Sequence, residues 1–271
     1  MLKRIIFILL VALVSNNIFA QESNYVEYSI VQGTIDENDQ YKKEFGRYDG
    51  FQVPLNAGEY VYFSVFSEDF NPSILLVSPT QEKFSENQSK GTGFASIKTR
   101  VPTSGEWYVY VIGTANSKGS YYYQYAFADS VAVTLPEKND FCSELNFLIK
   151  HASAYFLFLQ DEDGIYKISN RVDSFIDGND GSYNSVLFNT GNKEDAERKF
   201  IEYNLNLKEC LGGSWQEFKG EWKEIEDFKQ KKTEFMKKID SNRYSVLLKL
   251  NDFSSGGEGD FSLELVIINT K

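Results

Sequence analysis

Three segments in the first half of the chain alternate clearly between apolar and more polar side chains. Segment 58–65 places Val61 and Phe63 on one side and tyrosines on the other, and segment 105–111 repeats this pattern. Segment 119–125 places Tyr121, Tyr123 and Tyr125 on one face and Tyr122 and Gln124 on the other. A period of two is typical of half-buried β-strands. Many such strands, separated by Gly, Pro, Asn and Asp turns, favour an antiparallel sandwich or barrel. The first half is therefore predicted to be an all-β sandwich.

An ordered set of motifs in this half resembles a known bacterial family. In chain order the motifs are Asp49-Gly50-Phe51, Gly58 at the start of a strand, Phe70–Val77, Ser104–Val111 and Gly119–Tyr123. Their order and spacing, over about residues 30–130, are similar to those of the pre-peptidase C-terminal domain. The resemblance implies a jelly-roll-like β-sandwich in an exported protein. Such domains usually follow secreted peptidases, and related sandwiches bind matrix proteins or sugars. Here the domain comes first and no peptidase accompanies it, so the resemblance supports fold and export more than activity.

The second half changes to helical spacing. Apolar residues recur at intervals of three and four from Phe141 to Leu159 and again from Lys193 to Leu211, which predicts two amphipathic helices. Segments 165–175 and 183–188 predict a hairpin between them, and the charged segment 215–232 is expected to be a helix or an exposed loop. Three closing strands are predicted, at about 233–239, 244–250 and 261–268. This half is therefore predicted to be an α+β domain with an antiparallel sheet.

The N-terminus has the composition of a secretory signal peptide. Lys3 and Arg4 precede an apolar run, and a small residue, Ala20, marks a cleavage site. An uncleaved anchor is the alternative, but the apolar run is short for a membrane span. A polar, proline-containing link near Pro136 separates the two halves. The expected division is a signal peptide over residues 1–20, a β-sandwich domain over 21–135 and an α+β domain over 136–271.

Cysteine content and charge limit the setting and the partners. Cys142 and Cys210 lie near the start of the first predicted helix and the end of the second. In an exported protein they are expected to form a disulfide, with two reduced, buried thiols as the alternative. The net charge of −11 disfavours nucleic acid and anionic membranes as partners. The sequence thus predicts a periplasmic or extracellular protein whose mature chain does not insert into a membrane.

Catalytic motifs are missing from the sequence. The single histidine, His151, lies within the first predicted helix, where a partly exposed surface position is expected. The chain has no His-Glu-x-x-His zinc motif, no Gly-x-Ser-x-Gly elbow and no Gly-rich phosphate loop. Paired acids for glycoside hydrolysis would have to come from segment 161–163 or from Asp177 and Asp180, which lie in polar, Gly-rich loops. A non-enzymatic protein is expected, with a carboxylate-dependent hydrolase as the alternative.

Two acidic loops are candidate calcium sites. Asp177, Asn179 and Asp180 offer closely spaced oxygen ligands, and Asp36 and Asp39 offer a second set. Both loops also have the composition of ordinary turns, and neither matches an EF-hand. No cofactor is otherwise expected.

Outward-facing tyrosines are the strongest binding feature. The five are Tyr60, Tyr62, Tyr108, Tyr110 and Tyr122. If their strands are neighbours, the rings form one aromatic surface suited to sugar rings or protein partners. Tyrosine also simply favours strands, and the second domain could cover these rings. The sequence therefore predicts an exported binding or accessory protein that recognises a glycan or a protein through the sandwich. The alternatives are a carboxylate-dependent hydrolase and an envelope protein that docks partners through the α+β domain.

Overall fold

A computed structural model describes residues 26–43, 45–161, 164–169, 171–177, 181–239, 241–254 and 260–270. The predicted signal peptide lies outside these residues. The described chain consists mostly of antiparallel β-sheet with two α-helices. The predicted division into two domains remains a prediction, and the two halves are described below by their sheets.

The first nine strands form two antiparallel sheets. They are β1 (Val26–Ile35), β2 (Gln40–Lys42), β3 (Gly46–Leu55), β4 (Tyr60–Phe66), β5 (Ser73–Val77), β6 (Lys83–Gln88), β7 (Phe94–Arg100), β8 (Gly105–Gly113) and β9 (Gly119–Ala128). Sheet A has four strands in the order β1-β9-β4-β7. Sheet B has five strands in the order β2-β3-β8-β5-β6.

The inward side chains of sheets A and B form one core. Phe63 of sheet A and Trp107 of sheet B are fully buried. The ring of Phe51 in sheet B stacks on the ring of Tyr123 in sheet A, with centroids 4.6 Å apart. Across the same layer the Tyr121 hydroxyl donates a 2.6 Å hydrogen bond to Oδ2 of Asp49, and burial raises the pKa of both groups. The two sheets therefore pack face to face, as the alternation predicts.

The second half is one large sheet with helices on one side. Helix α1 (Phe141–His151) and helix α2 (Lys193–Leu211) share a core with a seven-stranded antiparallel sheet. The remaining strands are β10 (Gln160–Asp161), β11 (Gly164–Ile165), β12 (Asp173–Asp177), β13 (Ser182–Thr190), β14 (Gln216–Lys219), β15 (Lys223–Ile225), β16 (Phe228–Ile239), β17 (Asn242–Asp252) and β18 (Phe261–Thr270). The large sheet follows the order β12-β13-β18-β17-β16-β14, with β15 also paired to β16, while β10 and β11 form a separate pair.

A disulfide links the two helices. Cys142 near the start of α1 is bonded to Cys210 near the end of α2, with Cα atoms 5.0 Å apart. Asp140 caps α1, because its side chain accepts hydrogen bonds from the backbone N–H groups of Cys142 and Ser143. The helix α2 that the apolar spacing predicts has the same limits in the structure.

The first predicted helix is too long. Helix α1 ends at His151 and gives way to short 3-10 turns at Ala152–Ala154 and Leu157–Leu159. Between these turns Tyr155 and Phe156 have left-handed backbone conformations, with φ of 51° and 58°. Such conformations are unfavourable for non-glycine residues. Two contacts offset that cost. Phe156 is fully buried, and the Tyr155 ring contacts the ring of Tyr28 in β1, with centroids 4.8 Å apart.

The expectation of a helix or loop for segment 215–232 is also wrong. This segment contains strands β14 and β15 and the beginning of β16. Both short strands pair antiparallel with β16 at the edge of the seven-stranded sheet. Their charged side chains are compatible with strand structure because an edge strand is largely exposed. The predicted hairpin is present, but its first strand, β12, begins at Asp173.

Candidate binding surface

The five predicted tyrosines do not form one surface. Strands β4 and β9 belong to sheet A, whereas β8 belongs to sheet B, so Tyr60, Tyr62 and Tyr122 lie on the opposite side of the sandwich from Tyr108 and Tyr110. Alternation within a strand gives the face of each residue but not the neighbours of its strand. Because β8 is a neighbour of neither β4 nor β9, the condition for a single aromatic surface is not met, and the five rings are divided between the two sheets.

Tyr60 and Tyr62 are partly covered by the second half of the chain. They pack with Ala126 of β9 and with Ala154 and Phe158, which follow α1. Burial raises the pKa of Tyr62. This end of sheet A is therefore part of the contact between the two halves and is not available as an open platform.

Tyr122 lies at the open end of the same face of sheet A. The strand register places Tyr122 beside Phe66, and Phe66 beside Phe94. These three side chains are between 37% and 44% exposed. They form a short aromatic row across three neighbouring strands.

Tyr108 and Tyr110 lie on the outer side of sheet B, together with Tyr48 of β3. The rings of Tyr108 and Tyr110 are nearly parallel, with centroids 6.5 Å apart, and the Tyr48 ring meets Tyr110 edge-on at 5.4 Å. All three rings are partly exposed. They rest on a buried apolar base that consists of Leu75, Val77 and Ile112. We refer to Tyr48, Tyr108 and Tyr110 as the tyrosine face.

The local sequence explains why these rings lie on the surface. Strand β8 alternates, so that Trp107 is buried in the core and Tyr108 points outward. Strand β5 is apolar on both sides, and its outward residues, Leu75 and Val77, form the base beneath the tyrosines. Gly50 is paired with Tyr110, and a Cβ at this position would come within 3.0 Å of the Tyr110 ring. The glycine thus leaves room for the ring over β3.

Hydrogen-bonding groups surround the tyrosine face. The Tyr48 hydroxyl donates to Oε1 of Gln40 at 2.6 Å, and Nε2 of Gln52 donates to Oε2 of Glu106 at 3.1 Å. Burial raises the pKa of Tyr110, and its hydroxyl therefore retains its proton well above neutral pH. The surface thus combines apolar ring faces with hydroxyl, amide and carboxylate groups.

Sequence reasoning did not identify Tyr48 or its partner Gln40. Alternation around Tyr48 is hard to recognise because β3 contains Gly50 and Pro54, neither of which has a typical strand side chain. The sequence feature that could have identified Tyr48 is its position two residues before Gly50, which places both residues on one face of β3.

The loop with Asp36 and Asp39 has the hydrogen bonds of a turn. Oδ2 of Asp39 accepts from the backbone N–H of Asp36 at 2.5 Å, and Oδ1 of Asp36 accepts from the N–H of Asn38 at 2.7 Å. Asp177 ends β12, while Asn179 and Asp180 lie outside the described residues. Within the described ranges no group of three or more His, Cys, Asp or Glu side chains is arranged to hold a metal ion.

His151 is buried, contrary to the expectation of a surface position. Its side chain has no exposed area, and Nε2 lies 2.9 Å from the carbonyl oxygen of Ala132. The rings of Phe147 and Phe158 pack against it, and Nδ1 lacks a hydrogen-bond partner in the described part of the chain. Burial lowers the pKa of His151 to about 4. In this position the imidazole cannot reach a substrate in solvent.

Candidate acids for a hydrolase are only partly within the described chain. Glu162, Asp163 and Asp180 lie outside it. One cleft of about 600 Å³, at the end of β13 and β18, is lined by Asp260 and Glu264 among other residues. Asp260 is exposed to solvent, whereas a general acid for glycoside hydrolysis requires burial in an apolar pocket that raises its pKa.

The outer surface of α2 is the surface of the second half that bears on the docking alternative. Ile201 and Leu205, one helical turn apart, are each 60% exposed. Two isolated side chains are much smaller than the contiguous apolar patch that marks a protein-docking surface.

No helix in the described ranges is long and apolar enough to span a bilayer.

Comparisons with known proteins give weak similarities. No protein-family model and no curated protein matches the sequence. The pre-peptidase C-terminal domain of a Bacillus anthracis collagenase aligns with 16% identity and a TM-score of 0.29, over 36% of this chain and 89% of that domain. The periplasmic g-type lysozyme inhibitor PliG of Aeromonas hydrophila aligns with 13% identity and a TM-score of 0.27, over 41% of this chain and 91% of the inhibitor. PliG of Salmonella Typhimurium aligns with 18% identity and a TM-score of 0.26, over 37% and 91%. The chain is assigned to none of these families.

Proposed function

We propose that this protein is an exported, non-catalytic binding protein that holds a neutral oligosaccharide against the tyrosine face. The main support is the arrangement of Tyr48, Tyr108 and Tyr110 as partly exposed rings on the apolar base of sheet B. The predicted signal peptide and the Cys142–Cys210 disulfide support an oxidising compartment outside the cytosol.

The chemistry of the face suits sugar rings. A pyranose has apolar C–H faces and a periphery of hydroxyls, and tyrosine offers an apolar ring with a polar tip. The two nearly parallel rings of Tyr108 and Tyr110 provide surfaces for stacking. Gln52 and Glu106 beside them supply hydrogen-bond donors and acceptors for sugar hydroxyls. The net charge of −11 makes a neutral saccharide a better ligand than an acidic one.

Truncation of the two stacked tyrosines is expected to weaken binding. The double variant Tyr108→Ala/Tyr110→Ala lacks both rings. Each ring contributes an aromatic contact of about 1 kcal/mol, so the affinity for the saccharide should fall by about 10-fold to 100-fold. Isothermal titration calorimetry with cellohexaose, laminarihexaose, xylohexaose, mannohexaose and chitohexaose measures this directly. The fold of the variant is checked by circular dichroism and by its melting temperature.

Tyr122→Ala is the matched control, because Tyr122 is a partly exposed strand tyrosine on the opposite side of the sandwich. Its affinity for the saccharide should equal that of the wild-type protein. The proposal is wrong if none of the five hexasaccharides binds the wild-type protein, or if Tyr122→Ala weakens binding as much as the double variant. In the first case a protein partner becomes the better hypothesis for the tyrosine face.

A further inference from the structure

Sheet A ends at a long and regular edge strand. Strand β1 has ten residues and pairs with β9 without a bulge from Val26 to Ile35. Its one charged residue is Glu27, and it contains no proline. An unpaired edge of this kind exposes backbone N–H and C=O groups to which another strand can bond, and soluble proteins usually protect such edges.

The other sheet edges in the described chain are protected. Strand β7 carries Lys98 and Arg100, and its Ser96 carbonyl accepts a 2.8 Å hydrogen bond from Nδ2 of Asn87. Strand β6 carries Lys83 and Glu86. The remaining edge strands of the three larger sheets, β2, β12, β14 and β15, have three to five residues, and each includes a charged residue. The strands of the separate pair, β10 and β11, have two residues each. Strand β1 differs from all of these in combining length, regularity and low charge.

In the described part of the second half, the contacts with β1 lie at the beginning of that strand. Oγ of Ser153 donates a 3.0 Å hydrogen bond to the carbonyl oxygen of Val26, and the Tyr155 ring packs on Tyr28. Residues of an antiparallel strand alternate between facing their partner and facing away from it. The carbonyl oxygen of Val26 is bonded on the side of β1 away from β9. The even-numbered residues of β1 therefore direct their backbone N–H and C=O groups away from β9. Ile30, Gln32 and Thr34 belong to this set, and their side chains are exposed.

We propose that two copies of this chain pair antiparallel through β1 and join two four-stranded sheets into one sheet of eight strands. A twofold axis at Gln32 places Ile30 opposite Thr34 of the second copy, so the paired residues are uncharged. Within the paired segment 29–35 no residue is charged, so on a chain with a net charge of −11 the paired strands oppose no like charges. Twofold dimers are also the commonest oligomers.

Cysteine cross-linking tests the pairing. The two native cysteines are bonded to each other, so Gln32→Cys introduces a single free thiol. Residues that face each other across an antiparallel pair have Cα atoms about 5.5 Å apart, which is within the reach of a disulfide. We expect Gln32→Cys to form a covalent dimer under mild oxidation. The control Gln88→Cys, on the charged edge strand β6, should form no covalent dimer under the same conditions.

Sedimentation equilibrium provides a second readout that needs no cross-link. The wild-type protein should dimerise as its concentration rises, and Gln32→Lys should be monomeric because it places two lysines opposite each other. Gln88→Lys should dimerise like the wild type. A wild-type protein that stays monomeric, or a dimer that survives Gln32→Lys, overturns the proposal. Because both substitutions are on exposed strand positions, circular dichroism should show folded protein in each case.

Discussion

Removal of the disulfide is expected to destabilise the protein by about 4 kcal/mol at 25 °C. The bond joins Cys142 to Cys210, which are 68 residues apart in the chain. A cross-link of this length restricts the unfolded chain strongly, so its loss favours unfolding. The folded chain also loses its covalent connection between the start of α1 and the end of α2. The double variant Cys142→Ser/Cys210→Ser should therefore unfold at a much lower urea concentration than the wild type.

The control for this experiment is the wild-type protein with its disulfide reduced in the native buffer. Its free energy of unfolding should match that of the double variant, because both lack the same constraint. Hydrogen exchange should accelerate first in α1 and α2, which the bond links. A difference below about 1 kcal/mol between oxidised wild type and double variant would show that the cross-link restrains the unfolded chain far less than its length implies.

Acidification is expected to destabilise the protein through His151. Burial lowers its pKa to about 4 in the folded protein, whereas the imidazole in the unfolded chain titrates near 6.5. Above that unfolded value both states are neutral and His151 contributes no pH dependence. As the pH falls from about 6.5 to about 4, His151 binds a proton in the unfolded chain but stays neutral in the folded chain. His151 should therefore remove about 3 kcal/mol of stability over this range.

Urea unfolding of the wild type and of His151→Gln, each at pH 7 and pH 4, separates this effect from the titration of carboxyl groups. The wild type should lose about 3 kcal/mol more than the variant. The positively charged Lys150 and Lys98 also lower the pKa of His151, although burial is the main cause. Because His151 is the chain's single histidine, its ring C–H signal in the NMR spectrum is unambiguous. A midpoint near 6.5 for that signal in the folded protein would contradict the account.

The faces of the sandwich strands could be predicted from the sequence, but their neighbours could not. Alternation in β8 correctly separates buried Trp107 from outward Tyr108. The same pattern gives no information on whether β8 lies beside β4 or beside β3 and β5, because pairing depends on contacts between distant parts of the chain. The sequence therefore leaves open whether the outward tyrosines share one surface.

The end of α1 was mispredicted for a different reason. Apolar residues continue at helical spacing beyond His151, and Phe156 and Phe158 are as buried as those of the helix. Their burial comes from two separate contacts. Phe156 packs in the core of the second half, whereas Phe158 packs against the alanines of sheet A. Periodicity cannot distinguish one continuous helical face from a chain that turns to meet a second layer. The buried position of His151 follows from the same turn.

The most direct test of the proposed function is to observe the tyrosine rings during titration with a saccharide. The protein, labelled with ¹³C in its tyrosine rings, is titrated with each of the five neutral hexasaccharides, and the signals are assigned by single Tyr→Phe variants. The account predicts that one saccharide shifts the signals of Tyr48, Tyr108 and Tyr110 and leaves that of Tyr122 unchanged. Shifts confined to Tyr122, or no shift with any of the five saccharides, would contradict a saccharide site on the tyrosine face.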